Sequence, residues 1–331
     1  MSSSITIAGA TPAGQRHDHG RARGSAVLTT ALLMLAAVIA DWMLGEPRRH
    51  HPLVGFGKLA ERTEAWIRRY AGQSPRGFRM QGALAVLALT LVPTGAAATL
   101  SALPAAGAVF DLVLLYFALG HRSLHDHARQ VARAQQQGHD GEARRLAGRM
   151  VSRDRDAMDV PAATTESVLE NGSDGVFGTL FWFAVAGGAG ALLHRLANTL
   201  DAMWGHRDER YAHFGWAAAR LDDLLNFVPA RLTALSYALL GRTGQALACW
   251  QRQAGVWDSP NAGPVMAAGA GALGVLVGGP ARYQGVWRSR PILGKGRRPT
   301  AGDIERALGL VRRSVWLWLG ILLSVGVLTN A

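Results

Sequence analysis

The sequence predicts an all-α fold: a polytopic membrane helical bundle with polar cytoplasmic loops and helices. Three observations carry that expectation. The 331-residue chain repeatedly enters apolar runs of bilayer-crossing length. Gly is abundant at 40 residues, and Gly/Ala-rich apolar runs suit close helix packing in lipid. The formal net charge of +12 is carried almost wholly by arginines that fall between the runs, since lysine occurs only at Lys58 and Lys295. Loops flanking membrane helices show that distribution. The same dispersal, with no zinc-finger, homeodomain or RNA-binding signature, argues against a nucleic-acid partner. A single cysteine, Cys249, leaves no intrachain disulfide to form.

Residues 1–25 are rich in Ser, Gly, Arg and His without apolar periodicity, and are expected to be a disordered N-terminal extension; 26–331 is read as one domain. The run "AVLTTALLMLAAVIADWML" (26–44) is just long enough, at about 1.5 Å per helical residue, to cross a core of roughly 30 Å. A signal peptide cleaved after "VIA" is the alternative, which the long preceding tail and the later apolar runs disfavour. Runs 80–103 and 105–120 meet at Pro104 and predict a helical hairpin, with Pro93 kinking its first arm. Residues 121–150 read as a water-facing helix. Further runs cover 176–197, 228–241, 264–279 and 311–328. The Arg-rich segments 45–79, 121–175 and 242–313 are assigned to the cytoplasm by the positive-inside tendency. Counted as a full span, 176–197 would place 198–227 on the other side, so this run is open to being re-entrant or buried beside other helices.

Two stretches concentrate chemistry. In "TTESVLENGSDGVFGTLFW" (164–182), Glu166 and Glu170 share one helical face and repel by a few tenths of a kcal/mol, roughly, without a counter-ion. Asn171 and Asp174 add oxygen donors, and Gly172 and Gly175 permit a sharp turn. Clustered hard oxygens suit Mg²⁺, which also binds phosphate. Just upstream, "GRMVSRDRDAMD" (148–159) supplies Arg149, Arg153 and Arg155 as anion clamps. The second stretch joins "NTLDAMWGHRDERY" (198–211) to "AARLDDLLNFVPAR" (218–231), with Asp222 and Asn226 on one face and Arg220 and Arg231 as phosphate partners. Each cluster alone would also suit a solvated, salt-bridged helix; two of them flanking one apolar run favour a metal–phosphate site. In "WDSPNAGPVMAAGAGALGVLVGGPARYQG" (257–285), Ser259 or Asn261 could cap a helix whose free N–H groups attract phosphate. "GKG" at 294–296 lacks the rest of a Walker A loop, which excludes an ordinary P-loop, and no GxSxG, HExxH or CxxC occurs. His121, His125 and His127 have no thiolate to complete a zinc site.

Taken together, the motifs resemble the cobalamin-biosynthesis CobD/CbiB family, the membrane-bound adenosylcobinamide-phosphate synthases. The matching pieces run in family order over about 41–313: Asp41 with Gly45-Glu46-Pro47 and His51-Pro52, "GRMVSRD", "TTESVLENGSDGV", "NTLDAMWGHRDERYAHFGWAAARLDDLLNFVPARL", "SPNAGP", "GGPARYQG" and "GDIERAL". The chain departs from the family pattern at Thr179, usually Pro, and Ala202, usually Ser. The resemblance implies ATP-dependent amide formation between a carboxylate of adenosylcobyric acid and the amine of (R)-1-amino-2-propanol O-phosphate. Side-chain chemistry at the motif positions assigns Mg²⁺–ATP to Glu166, Glu170, Asn171, Asp174, Asp222 and Asp223, with Arg153, Arg220, Arg231, Asn198 and Asn261 expected to hold substrates or phosphates. Asp154 or Asp201 would take the amine proton. The expected partners are the corrinoid and amino-alcohol phosphate substrates, membrane lipid and other cobalamin-pathway enzymes, at the inner membrane with the active site on the cytoplasmic side. Two other readings are an intramembrane prenyltransferase, for which paired DxxxD motifs are missing, and a transporter or scaffold, which acids inside a bundle also suit.

Overall fold

The computed structural model describes residues 13–47, 51–70, 74–206 and 208–330. Among these, five helical stretches are long and apolar enough to cross a membrane: Gly24–Leu44, Pro75–Ser101, Gly107–Gln136, Val160–Trp204 and Ala301–Asn330. The first belongs to α1 (Ala13–Leu44), which starts well before the apolar run. The expected disordered extension is therefore helical from Ala13 onward, and its first part, 1–12, lies outside the described residues. The amphipathic α2 (Pro52–Tyr70) follows.

Helices α3 (Pro75–Ser101) and α4 (Gly107–Ala118) form the expected hairpin, with α3 continuing through Pro93. Residues 121–150 form α5 (His121–Gln136) and α6 (Asp140–Ala147), and are less water-facing than their charge suggested. Leu124, Ala128, Val131 and Ala132 recur at helical spacing and are buried against the neighbouring helices.

Chain reversal does not occur at Gly172 and Gly175, where the sequence permitted it. Instead α7 (Val160–Gly172) passes through a π-turn (Ser173–Phe177) directly into α8 (Gly178–Trp204). The reversal comes inside α8, at Ala186 and Gly187. Gly187 has φ 61° and ψ −155°, a conformation essentially restricted to glycine. Asp111 of α4 holds the bend: its Oδ1 accepts the Gly188 amide at 2.9 Å and the Ser101 hydroxyl at 2.6 Å. The two arms then run side by side, with Thr179 Oγ1 3.4 Å from His194 Nδ1 and His194 Nε2 3.0 Å from Asn226 Oδ1. From Val176 to Val185 an arm rises only about 15 Å, half of the roughly 30 Å hydrocarbon core. The run 176–197 is thus a helical hairpin that returns 198–227 to the side of 160–175.

Helix α9 (Trp216–Leu239) packs on this hairpin, and α10 (Thr243–Gln253) leads to α11 (Ala262–Leu273). The apolar run 264–279 is not a crossing. It divides between α11, every residue of which is buried, and strand β1 (Leu276–Gly278). Apolar residues all round a short helix mark a core element. Strand β1 pairs antiparallel with β4 (Ile292–Gly294), Val277 opposite Leu293, and β2 (Ala281–Tyr283) pairs with β3 (Val286–Arg288). The last helix, α12 (Ala301–Asn330), lies antiparallel along α1, where Gly326 lets the Leu28 backbone approach. Met34, Leu115, Leu169, Phe177, Tyr237, Met266 and Leu308 belong to one buried cluster. Leu84, Leu91 and Val92 of α3 and Ile321 and Leu328 of α12 stay exposed, as a lipid-facing surface requires.

Candidate active site

Three elements bring carboxylates together. The π-turn places Asp174 after Glu170, the return arm of α8 brings back Asn198 and Asp201, and α9 adds Asp222 and Asp223. Asp174 lies in the field of Asp222, Glu170, Asp201 and Asp223, and Asn198 Nδ2 donates to Asp222 Oδ1 at 3.3 Å. Burial, reinforced by the Asp201 carboxylate, pushes Asp222 up to about 7. Crowded, desolvated carboxylates of this kind are relieved by a cation. The donors are all hard oxygens. Among the described residues no three His, Cys, Asp or Glu side chains already stand at metal-ligand spacing. Oxygen donors of this kind are the type Mg²⁺ accepts, one or two carboxylates with waters and phosphate completing its shell.

Other residues singled out by sequence are already engaged. Glu166, 4% exposed, pairs through Oε1 with both Arg153 and Arg290, while Oε2 accepts the Gly278 amide at 2.9 Å. Its charge is answered by guanidinium groups, whereas Glu170 has no hydrogen-bond or ion-pair partner among the described residues. Asp154 accepts the Gly285 and Gln284 amides and Arg282 Nε, each at 2.8 Å. The Gly285 amide, with Arg282, holds its carboxyl below the usual range, and Asp154 fastens the β2–β3 turn. Arg231 donates to Asn261 Oδ1 at 2.8 Å and to the Phe227 and Pro260 carbonyls, and Asn261 Nδ2 donates to the Asp223 carbonyl at 2.8 Å. These two residues tie α9 to the start of α11. Arg220 and Asp223 line a cavity of about 370 Å³ with His206, Tyr211 and Trp216. Asn171 donates to Ser167 Oγ at 2.8 Å.

Sequence reasoning passed over Arg195. It stands on the return arm, and its Nε is buried without a hydrogen-bond partner. It lines a cavity of about 350 Å³ with Ser123, His127, Arg149, Asn171 and Asn198. Its guanidinium lies beside Gly120 and Gly175, where an added Cβ would stand in ordinary contact at 3.7 and 3.4 Å. The signal was present as a charged residue within an apolar run, a functional mark by default. Arg290, also passed over, stacks 4.7 Å from the Trp257 ring as well as pairing with Glu166. The family-matching first loop closes the other side of this region. Asp41 Oδ2 accepts the Arg122 amide at 2.7 Å, Trp42 Nε1 donates to His121 Nδ1 at 3.0 Å, and Glu46 accepts from Ser123.

A family model described as CobD/Cbib protein matches residues 34–311. A protein of Stutzerimonas stutzeri named cobalamin biosynthesis protein CobD is 55% identical over 306 residues, covering 90% of this chain and 99% of its own length. Its namesake in Chromobacterium violaceum is 53% identical over 310 residues, 92% of this chain and 99% of the relative. One from Mycobacterium tuberculosis, under the same name, is 37% identical and covers 86% of this chain and 92% of its own. No solved structure matches the chain. The family match and the identity over nine-tenths of the length, on a polytopic helical bundle, place this chain in the CobD/CbiB family.

Proposed function

We propose that the protein is an adenosylcobinamide-phosphate synthase of cobalamin biosynthesis. It joins adenosylcobyric acid to (R)-1-amino-2-propanol O-phosphate with consumption of ATP, on the cytoplasmic side of the inner membrane. The observation that carries this reading is the gathering of Glu170, Asp174, Asp201, Asp222 and Asp223 beside arginine-lined cavities. A carboxylate resists attack by an amine until it is activated, most simply as an acyl phosphate, and phosphoryl transfer depends on positioning and charge stabilisation. Mg²⁺ would neutralise the nucleotide phosphates when bound. Glu170, Asp174, Asp222 and Asp223 supply oxygen ligands for it, with Asn171 at the margin. Arg220 stands where it can meet a phosphate, and Asp201 takes the proton from the incoming amine. Arg153, Arg231 and Asn261 hold the surrounding segments in place through their pairings with Glu166, Phe227, Pro260 and Asp223.

The position of the acids follows from the same chemistry. A water-soluble nucleotide meets a bulky amphiphilic corrinoid at the membrane boundary, and the apolar arms of the hairpin exclude water from an activated acyl group. Arg-rich segments on the side to which 198–227 returns support the cytoplasmic assignment. The test is to incubate the purified full-length protein with ATP, Mg²⁺, adenosylcobyric acid and the amino-alcohol phosphate. Mass spectrometry should show the condensed product. Its absence with active substrates, or phosphate release without condensation, overturns the reading.

A further inference from the structure

We infer that Arg195 and Arg149 form the receptor for the phosphate of a small amine-bearing phosphomonoester, separate from the nucleotide site. The inference rests on the reading above and adds to that site Arg195, which no motif had marked, beside Arg149, an anion clamp by its motif.

The largely buried Arg153 and Arg290, and the more exposed Arg306, all have carboxylate partners. Arg153 and Arg290 share Glu166, and Arg306 bonds both Asp303 and the Leu273 carbonyl. Arg195 differs: its guanidinium has no hydrogen bond or ion pair among the described residues, and its Nε is shut off from solvent. Glu46 is the acid in its field, yet Glu46 is half-exposed, accepts from Ser123 and sits 3.7 Å from His51. A guanidinium inside an apolar hairpin is costly unless an anion meets it. The neighbouring cavity of about 350 Å³ admits one, with Arg149 on its exposed rim.

The order of charges around the cavity selects the anion. Asn198, in its wall, bonds Asp222, and Asn171, also in its wall, follows Glu170, so one side of the cavity is basic and the next is acidic. Along α8, Asp201 lies about 9 Å from Arg195 in helical rise. A short molecule with a phosphate at one end and an ammonium at the other fits that sequence of charges. A bare triphosphate would turn negative charge toward the carboxylates.

The test uses full-length protein in lipid nanodiscs, with calorimetric binding of the amino-alcohol phosphate, the same amino alcohol without phosphate, and inorganic phosphate. Loss of a charge-assisted contact predicts about a tenfold to hundredfold weaker binding of the phosphorylated amine to Arg195→Gln. Partial recovery in Arg195→Lys and a smaller loss in Arg149→Gln are expected. Inorganic phosphate should compete in wild type and not in Arg195→Gln. In the coupled reaction, KM for the phosphorylated amine rises while KM for ATP stays within about threefold. Unchanged binding in both glutamine variants, an equal loss for the unphosphorylated amine, or a rise confined to the KM of ATP overturns the inference. Arg149→Gln, on the exposed rim, decides alone if Arg195→Gln does not fold. Arg195-dependent binding without amide formation would sink the proposed reaction and leave the receptor standing; amide formation with an Arg195-independent KM would do the reverse.

Discussion

Replacing Gly187 with alanine tests whether the hairpin in α8 builds the site. The backbone there, at φ 61° and ψ −155°, costs a residue with a side chain about 1–3 kcal/mol. An added Cβ would also stand 3.1 Å from Asp111 Oδ2, tight enough to displace the carboxylate that accepts the Gly188 amide. Weakening that charge-assisted bond brings the total to about 2–4 kcal/mol. The same substitution at Gly95, in the middle of α3 with open space around it, serves as the control and should be neutral or slightly stabilising. Unfolding in a fixed detergent, followed by denaturant titration and circular dichroism, should show the destabilisation in Gly187→Ala alone. Turnover should fall with it, because the hairpin carries Asn198 and Asp201 back to Glu170 and Asp174. Equal stability of the two variants would refute the reversal at this position.

Three further outcomes are expected. Asp222→Asn and Glu170→Gln should each lower turnover by about a hundredfold or more in the coupling assay, as loss of a charge-stabilising group does; near-normal rates at normal expression would remove them from the site. Asp201→Asn should lower kcat by about 10²–10⁴, whereas Asp154→Asn should loosen the β2–β3 turn with a much smaller kinetic effect; the opposite order would exchange their roles. Glu64, on α2, supplies the pH dependence. Burial alone would raise its carboxyl, but hydrogen bonds from Arg68 and Arg210 outweigh it and hold the group below its ordinary value. The ionised carboxylate therefore stabilises the fold above its ordinary pKa, and that contribution is lost as pH falls through the depressed folded value. Glu64→Gln should remove this acid-side dependence and cost about 1–2 kcal/mol, a modest figure because Arg210 is largely in solvent. An unchanged acid limb in pH-dependent unfolding would contradict it.

The sequence made the apolar runs legible because hydrophobic length is a local property. It also marked both acidic stretches, since residue type and spacing are local too. What it could not show was where partners come from. Glu166 reads like Glu170 in one dimension, yet Arg290, 124 positions away, takes its charge. Asp154 looks like a free base until the Gln284 and Gly285 amides are found around it. Hydropathy likewise gives no sign that 176–197 folds back, because an apolar run reads the same straight or doubled. Only the paired glycines at 187–188 and the stray charge of Arg195 hinted at it. The run 264–279 shows the same limit: a helix wrapped by protein and one wrapped by lipid share a composition, and only length separates them.

The knot of Glu166 with Arg153, Arg290 and the Gly278 amide makes the chain unevenly tolerant of change. Either cation can be traded away while the acid keeps a partner. Trade away the acid and two positive groups confront each other in a dry recess, with an orphaned amide beside them. Sequence drift at this knot is therefore a one-way street, in which the arginines are individually expendable and the glutamate is the hub that fastens the 148–159 segment and the strand region to α7.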